Sequence, residues 1–385
     1  IQALRGYNVN YGDPDLKFPQ VWKNNIAVDK RLGNGIVATV EFIYNKNINA
    51  LHYIDVNMKA PSAKFPAGTD NRDIYPALDL SGSAATNARF INPGISNVFV
   101  LTNNSAGSSH SLTAKLEKPI TKNWGGLIGY TYAKATDLSS VSSTVNANTP
   151  SIYGVNYLRA GFSDNDLRHR FVGNLSYRLL YGKGVGGGTT ITLGIVSASG
   201  SKLSYIASND MNGDGQINDL IYVPTAGSAI NFENYTTSGV TFTAQQQQAA
   251  FESYIVSHPY LSKRRGNYAE RNGAALPWLT RADLSVEQDF IIKIGRQKKA
   301  NIFRFRADIL NVGNLINKDW GVGNVSTTTQ PLNYRGRNAQ GQPIYRLATQ
   351  VVGGQTVLLR DAFVKSRTID DVYQVQLGIR YIFNN

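Results

Sequence analysis

The 385-residue sequence predicts an all-β fold, a transmembrane antiparallel β-barrel, and three observations predict it. Apolar and polar residues alternate with period two in nine segments, the mark of strands wet on one face and dry on the other. The connections alternate short and long, as in a barrel with tight periplasmic turns and long extracellular loops. The polar rows carry paired arginines and acids, while the apolar rows end in Tyr or Phe near the turns, where a membrane interface sits. A soluble sandwich also alternates, but its solvent face is a milder Thr/Ser/Lys mixture. No run approaches ~18 apolar residues, so no helical span is encoded. Barrel strands average to neutral hydropathy, and the mean hydropathy here is −0.25.

The predicted strands are 20–32, 36–58, 109–121, 125–138, 166–182, 189–207, 278–293, 299–315 and 370–384. Short links are "GNG" (33–35), "KNW" (122–124), "KGVGGG" (183–188) and "KIGRQK" (about 293–298); long ones are about 59–108, 139–165, 208–277 and 316–369. In the second strand Ile36, Ala38, Val40, Phe42 and Tyr44 oppose Thr39 and Glu41. In the fifth, Leu167, His169, Phe171, Leu175, Tyr177, Leu179 and Tyr181 oppose Arg168, Arg170, Asn174, Ser176 and Arg178. In the seventh, Ala282, Leu284, Val286 and Phe290 oppose Arg281, Asp283, Ser285 and Glu287; in the eighth, Phe303, Phe305, Ala307 and Ile309 oppose Arg304, Arg306 and Asp308. The last strand sets Tyr373, Val375, Leu377, Ile379, Tyr381 and Phe383 against Gln374, Gln376, Gly378 and Arg380. A one-residue slip there would push Arg380 into hydrocarbon, at ~2–4 kcal/mol near the midplane. Within the third long link, "TAQQQQAAFESYIVSHPYL" (243–261) reads as an amphipathic helix through Phe251, Tyr254 and Ile255.

Composition narrows the chemistry. Cysteine is absent, which removes disulfides and thiolate metal sites. The net charge of +13 is spread along the chain, so it reads first as a solvated lumen and loop surface, and as a binding feature it suits an anionic membrane surface or lumen solute better than nucleic acid. His52, His110, His169 and His258 show no metal-ligand spacing, and no G-x-S-x-G is present. "GKGVGGG" (182–188) lacks the Lys-Ser/Thr and helix of a phosphate-binding loop. No catalytic residue is expected. The chain opens "IQALRGYNVN" without a charged-then-apolar leader.

Two groups of residues stand out. In "DMNGDGQIND", Asp210, Asn212 and Asp214 take positions 1, 3 and 5 of a calcium loop. Gly215 gives the tight turn, the Gln216 carbonyl is the next ligand, and Asn218 or Asp219 completes the shell because position 12 is Ile221. The alternative is an Asx-rich turn. A structural calcium would stiffen the external loop; no other cofactor is called for. The second group is the interior charge stripe: Arg168, Arg170, Arg178, Arg281, Asp283, Glu287, Arg304, Arg306, Asp308 and Arg380. It reads either as a docking wall for a plug or anionic solute, or as side chains that pair with one another.

The segments "PQVWKNNIAVDKRLGNGIVATVEFIYNKNINALHY" (19–53), "FSDNDLRHRFVGNLSYRL" (162–179), "NDMNGDGQINDLIYVP" (209–224), "RADLSVEQDF" (281–290), "FRFRADILNVGNLIN" (303–317) and "QLGIRYIFNN" resemble, in order and spacing, the C-terminal part of Oar-like TonB-dependent outer-membrane receptors. The resemblance implies an outer membrane of a Gram-negative bacterium and a barrel of 22 strands around an N-terminal plug, of which these are the last nine. The plug and first strands are then absent from residues 1–385, so the chain is expected to be a proteolytic half, a piece of a longer barrel, or one chain closing a barrel with another. Implied partners are lipid and lipopolysaccharide, the remaining barrel and plug, the TonB complex through that missing part, and the barrel assembly machinery. The aromatic at Phe383, closing the row from Tyr373, resembles the insertion signal such machinery reads. The implied function is energy-coupled transport of an unread substrate, with peptide or protein traffic known in the family. A barrel-anchored surface adhesin and a passive porin are the other readings.

Overall fold

The structure is a computed structural model, and it describes residues 8–66, 70–76, 88–121, 123–139, 149–181, 186–294 and 299–383. Its organising feature is a nine-stranded antiparallel meander in which each strand pairs with the next in sequence. The strands are β1 (Val21–Gly33), β2 (Ile36–Asn47), β3 (Gly107–Thr121), β4 (Trp124–Asp137) and β5 (His169–Tyr181). They continue as β6 (Gly186–Ala198), β7 (Leu279–Ile294), β8 (Lys299–Leu310) and β9 (Gln374–Phe383). The β1–β2 link is a tight turn in which Gly33, Asn34 and Gly35 all have positive φ, which explains two glycines flanking an asparagine. The turn residues 182–185 and 295–298 lie outside the described residues, as does Lys122 of the "KNW" link.

All nine expected strands are present, with shifted ends. The second breaks at residues 48–49: β1 begins at Val21, the last bond along it is the Ile48 N–H on the Gln20 carbonyl, and Ala50–Asp55 turns away to pair with Val98–Asn104. The fifth starts only at His169, because Ser163–Asp166 forms a turn closed by the Asp166 N–H on the Ser163 carbonyl. The sixth begins earlier, with Gly186–Gly188 paired to Asp289–Ile291, and ends at Ala198. The eighth ends at Leu310, where Asn311 takes a left-handed φ of 50° and starts a helical turn at Val312–Ile316. The ninth starts at Gln374, after a 3-10 turn at Ile369–Asp371 that leaves Tyr373 on the approach.

Register carries the face assignment across the whole sheet. One row runs Phe42–Leu112–Tyr132–His169 from β2 to β5, and another runs Leu193–Leu284–Ile309–Val375 from β6 to β9. These rows lie on the apolar face. Opposite them, Asn25 donates to Glu41, Thr39 to Asp29, and Ser176 shares a hydrogen bond with Thr192. The apolar face is bare: Leu377 is 77% and Ile379 74% exposed, and Ile26, Val28, Leu116, Ile128 and Leu175 are exposed with them. Such a continuous patch far exceeds what water tolerates on a monomer. It is bounded by aromatics at both ends. Toward the long links, His169 stacks on Trp278 at 5.7 Å and meets Tyr132 at 5.4 Å. Toward the short turns, Phe303 meets Tyr381 at 4.7 Å and Tyr381 meets Phe383 at 5.8 Å. Among the described residues, β1 and β9 each pair with one neighbour only, so the sheet is not closed on itself.

The buried core is not in the sheet. Phe65, Ile74, Tyr205, Met211, Ile221, Val223, Phe251, Tyr254, Ile255, Leu261, Leu332, Tyr345 and Leu347 pack as one cluster, and each comes from a long link. Those links therefore fold together into a cap. The expected helix is there as α1 (Ala244–Ser257), started by a capping box between Thr243 and Gln246. Its buried face holds Phe251, Tyr254 and Ile255.

Candidate functional site

The cap is organised around the segment 205–221. The Ala207 N–H donates to the Asp219 carbonyl and that of Ile221 to the Tyr205 carbonyl, closing the segment into a pinched loop. Every long link then fastens to it. From the first, Tyr75 N–H donates to the Asn212 carbonyl. From the second, Ser151 N–H donates to the Asn218 carbonyl and Val155 N–H to Asp214 Oδ2. From the fourth, Leu332 and Tyr334 carbonyls accept from the Ser208 N–H and the Asn209 side-chain amide.

The ends of the loop are charged and buried. Arg72 donates from Nη1 to Asp219 Oδ1 at 2.8 Å, from Nε to Asp70 at 3.0 Å, and from Nη2 to the Leu220 carbonyl at 2.6 Å. The Tyr268 hydroxyl completes Asp70 at 2.9 Å. Burial opposes the charge on Arg72, yet Asp70 and Asp219 outweigh it and hold the guanidinium above the usual arginine range. Nothing in the period-two pattern pointed to Asp70 or Arg72. The available signal was an arginine set among acids in "TDNRDIYP".

The six residues of the calcium reading do come together, as an Asx-turn network. Asp210 accepts from the N–H groups of Gly213 and Gly215, Asn212 from that of Asp214, Asp214 from that of Gln216, and Asp219 from that of Met211. Asn218 donates to the Thr149 carbonyl. Gly215 is required by its φ of +91°, and a Cβ there would also displace the Arg89 guanidinium, 2.6 Å away. Burial lifts Asp219 to about 7 against the pull of Arg72. Burial, with the charges of Asp219 and Asp210, pushes Asp214 well above the carboxylate range, and burial also raises Asp210. Among the described residues no three His, Cys, Asp or Glu groups stand in metal-holding geometry. His258 lies in the cap core, held down at about 4 by burial, and its Nε2 shares a 2.7 Å hydrogen bond with the Tyr205 hydroxyl.

The interior stripe divides. Glu287 lies 3.4 Å from both Arg304 and Arg306, which also bind Asp289 and Asp308 at 2.7 Å. Arg281 reaches Asp371 at 3.1 Å, and Asp283 accepts the Asn311 N–H at 2.7 Å. Arg170, Arg178 and Arg380 have no ion pair among the described residues. Arg168 leaves the stripe altogether. It precedes β5, ion-pairs with Asp166 at 2.8 Å, and lies against the Tyr132 and Phe162 rings on the outer face. The turn at Ser163–Asp166 breaks the alternation there, so parity counted from β5 does not reach Arg168. Tyr373 is likewise outside β9, whereas Val375, Leu377, Ile379, Tyr381 and Phe383 keep one face.

A family model described as "Outer membrane beta barrel domain" covers residues 1–340. No curated protein matches the chain.

Proposed function

This chain belongs to the outer membrane β-barrel domain family, and from that premise we propose that it forms pore wall and external cap of an energy-coupled, TonB-dependent receptor and transporter. The observation that carries the reading is the cap. Four long links packed around one buried core, and cross-fastened through Arg72, Asp70 and Asp219, make a shaped surface above the wall. A passive porin needs an open mouth, and an adhesin needs no charged lumen. Arg170, Arg178 and Arg380 offer donors to whatever fills the barrel, and in this reading that is a plug with acidic groups.

The single-partner edges of β1 and β9 support further strands beside them, since lipid satisfies no backbone N–H or C=O. In the same reading β9 is the strand addressed by the assembly machinery, lipid and lipopolysaccharide coat the outer face, and the substrate is of peptide or protein size. In this reading the chain supplies wall and cap, and catalysis is not its task. We propose a structural calcium for the 210–219 loop only as a rearranged state: Asp210, Asp214 and Asp219 do not stand in metal-holding geometry and would have to turn from the backbone N–H groups they accept, which a calcium ion would favour by relieving their repulsion.

The test is uptake by whole cells of radiolabelled peptides from a digest of proteins in the growth medium. Uptake should require both this protein and a working TonB complex. Uptake that persists without the TonB complex would support a porin. Loss of surface attachment with unchanged uptake would support an adhesin.

A further inference from the structure

A cavity of about 420 Å³ lies where the outer-face side chains at the end of β4 meet the second and third long links. Its floor is the end of β4, where Lys134 and Thr136 share the face of Tyr130 and Tyr132. Its sides are Tyr153, Arg159 and Phe162 from the second long link and Arg264, Tyr268 and Arg271 from the third. Lys134 is two residues past Tyr132, or roughly 7 Å further along the strand. It therefore stands just above the aromatic belt of Tyr130, Tyr132, His169 and Trp278, at the height of lipid headgroups.

The charges there do not cancel. Arg264 is matched by Glu270 at 3.4 Å and Arg271 by Asp137. Lys134 and Arg159 have no carboxylate within ion-pair distance among the described residues. Arg159 is nevertheless held in place, stacked 3.9 Å over the Tyr153 ring. Next to them the Phe162 ring carries Lys134 at 5.7 Å and both Arg168 and Lys202 at 5.1 Å. Arg168 and Lys202 share the single buried carboxylate of Asp166, which leaves one more positive charge. Unpaired cations arranged around aromatic rings, beside hydrocarbon, call for an anion that is itself attached to something greasy.

We propose that this cavity binds the phosphorylated headgroup of an outer-leaflet lipid. A phosphate monoester carries about −1.5 to −2 charges, which Lys134 and Arg159 balance, and its oxygens accept charge-assisted hydrogen bonds from both. The apolar part of the lipid lies down the face of β4 and β5, over Ile128, Phe171 and Leu175. A soluble substrate is the poorer occupant, because a molecule held outside the wall is not on the route through it. The bound lipid would tie the second and third links to the membrane surface, which fixes the cap over the barrel.

The experiment uses the protein isolated from membranes in neutral detergent and titrated with diphosphorylated lipid A, followed by native mass spectrometry. The Lys134→Gln/Arg159→Gln variant should bind the lipid about tenfold more weakly. A charge-matched control, Lys64→Gln/Arg360→Gln, should bind as the parent does. Dephosphorylated lipid A should show the same loss as the double variant, and millimolar inorganic phosphate should not displace the intact lipid. Heat-modifiable migration confirms that each variant is folded. Unchanged binding by the double variant, equal binding of the dephosphorylated lipid, or displacement by inorganic phosphate would each overturn the proposal, the last by reassigning the cavity to a free anion.

Discussion

Arg72 is the residue on which the cap depends most directly. Its guanidinium is fully buried between Asp70 and Asp219, so removing it strands two carboxylates away from water. Arg72→Met should cost the cap about 3–5 kcal/mol. The measurement is limited proteolysis, with new cleavage expected in the third link while heat-modifiable migration of the barrel persists. The raised carboxyls of Asp219, Asp214 and Asp210 set a pH dependence of definite sign. The folded cap retains protons that the unfolded chain releases above about pH 4. Cap stability should therefore fall as pH rises from about 4 to about 7, where Asp219 titrates. Asp166 and Asp371 run the other way. Burial would raise them, but Arg168 and Lys202 for one, and the Thr368 and Gly323 N–H groups for the other, hold them low. Their contribution is present above the usual carboxylate range and is lost as pH falls below it. Amide exchange of residues 205–221, corrected for intrinsic rate, should be slower at pH 5 than at pH 7.5. If calcium occupies the loop, adding it at pH 7.5 should restore the protection; no change on addition would discard the calcium assignment.

At the scale of elements, β9 offers the cleanest comparison between the two faces of the wall. Ile379 projects to the bare apolar side and Gln376 to the interior. Ile379→Arg should destabilise the folded barrel by about 2–4 kcal/mol, while Gln376→Arg should change it little. Urea-dependent unfolding in lipid vesicles reads both, and equal costs would mean that hydrocarbon does not lie on the odd-numbered face. In α1, Thr243 accepts from the Gln246 N–H, and the Gln246 side chain accepts from the Thr243 N–H. Thr243→Ala should lower cap stability by about 1 kcal/mol, visible as faster exchange in the first turn of the helix. Strand centres were legible in advance because lipid and water enforce alternation residue by residue. Strand ends were not. Where β2 passes the end of its partner β1, or where Asn311 turns left-handed, local pattern continues although pairing stops.

The whole molecule joins two bodies with opposite solvents. The wall buries little of its apolar side within the chain, and the cap buries a core that water alone could maintain. Heating in denaturing detergent should accordingly produce a stepwise loss, with the cap becoming protease-sensitive first and the wall shifting in migration later. A single concerted transition would mean that wall and cap share one cooperative unit. The outer cavity beside Lys134 belongs to this scale as well, since it exists only where the end of β4 meets two links separated by about a hundred residues.

By itself the sequence determined the wall: a period-two rule is local, every second residue reports the same solvent, and nine strands with their inner and outer faces could be read from it. The Asx-rich loop at 210–219 was also legible, because its spacing is local. Only the tertiary structure decided that the long links form one packed cap, that Arg72 and Asp70 close on Asp219, and that Arg168 leaves the interior for the outer face. Those contacts join residues up to about two hundred positions apart, and burial at that distance leaves no periodic trace in the chain.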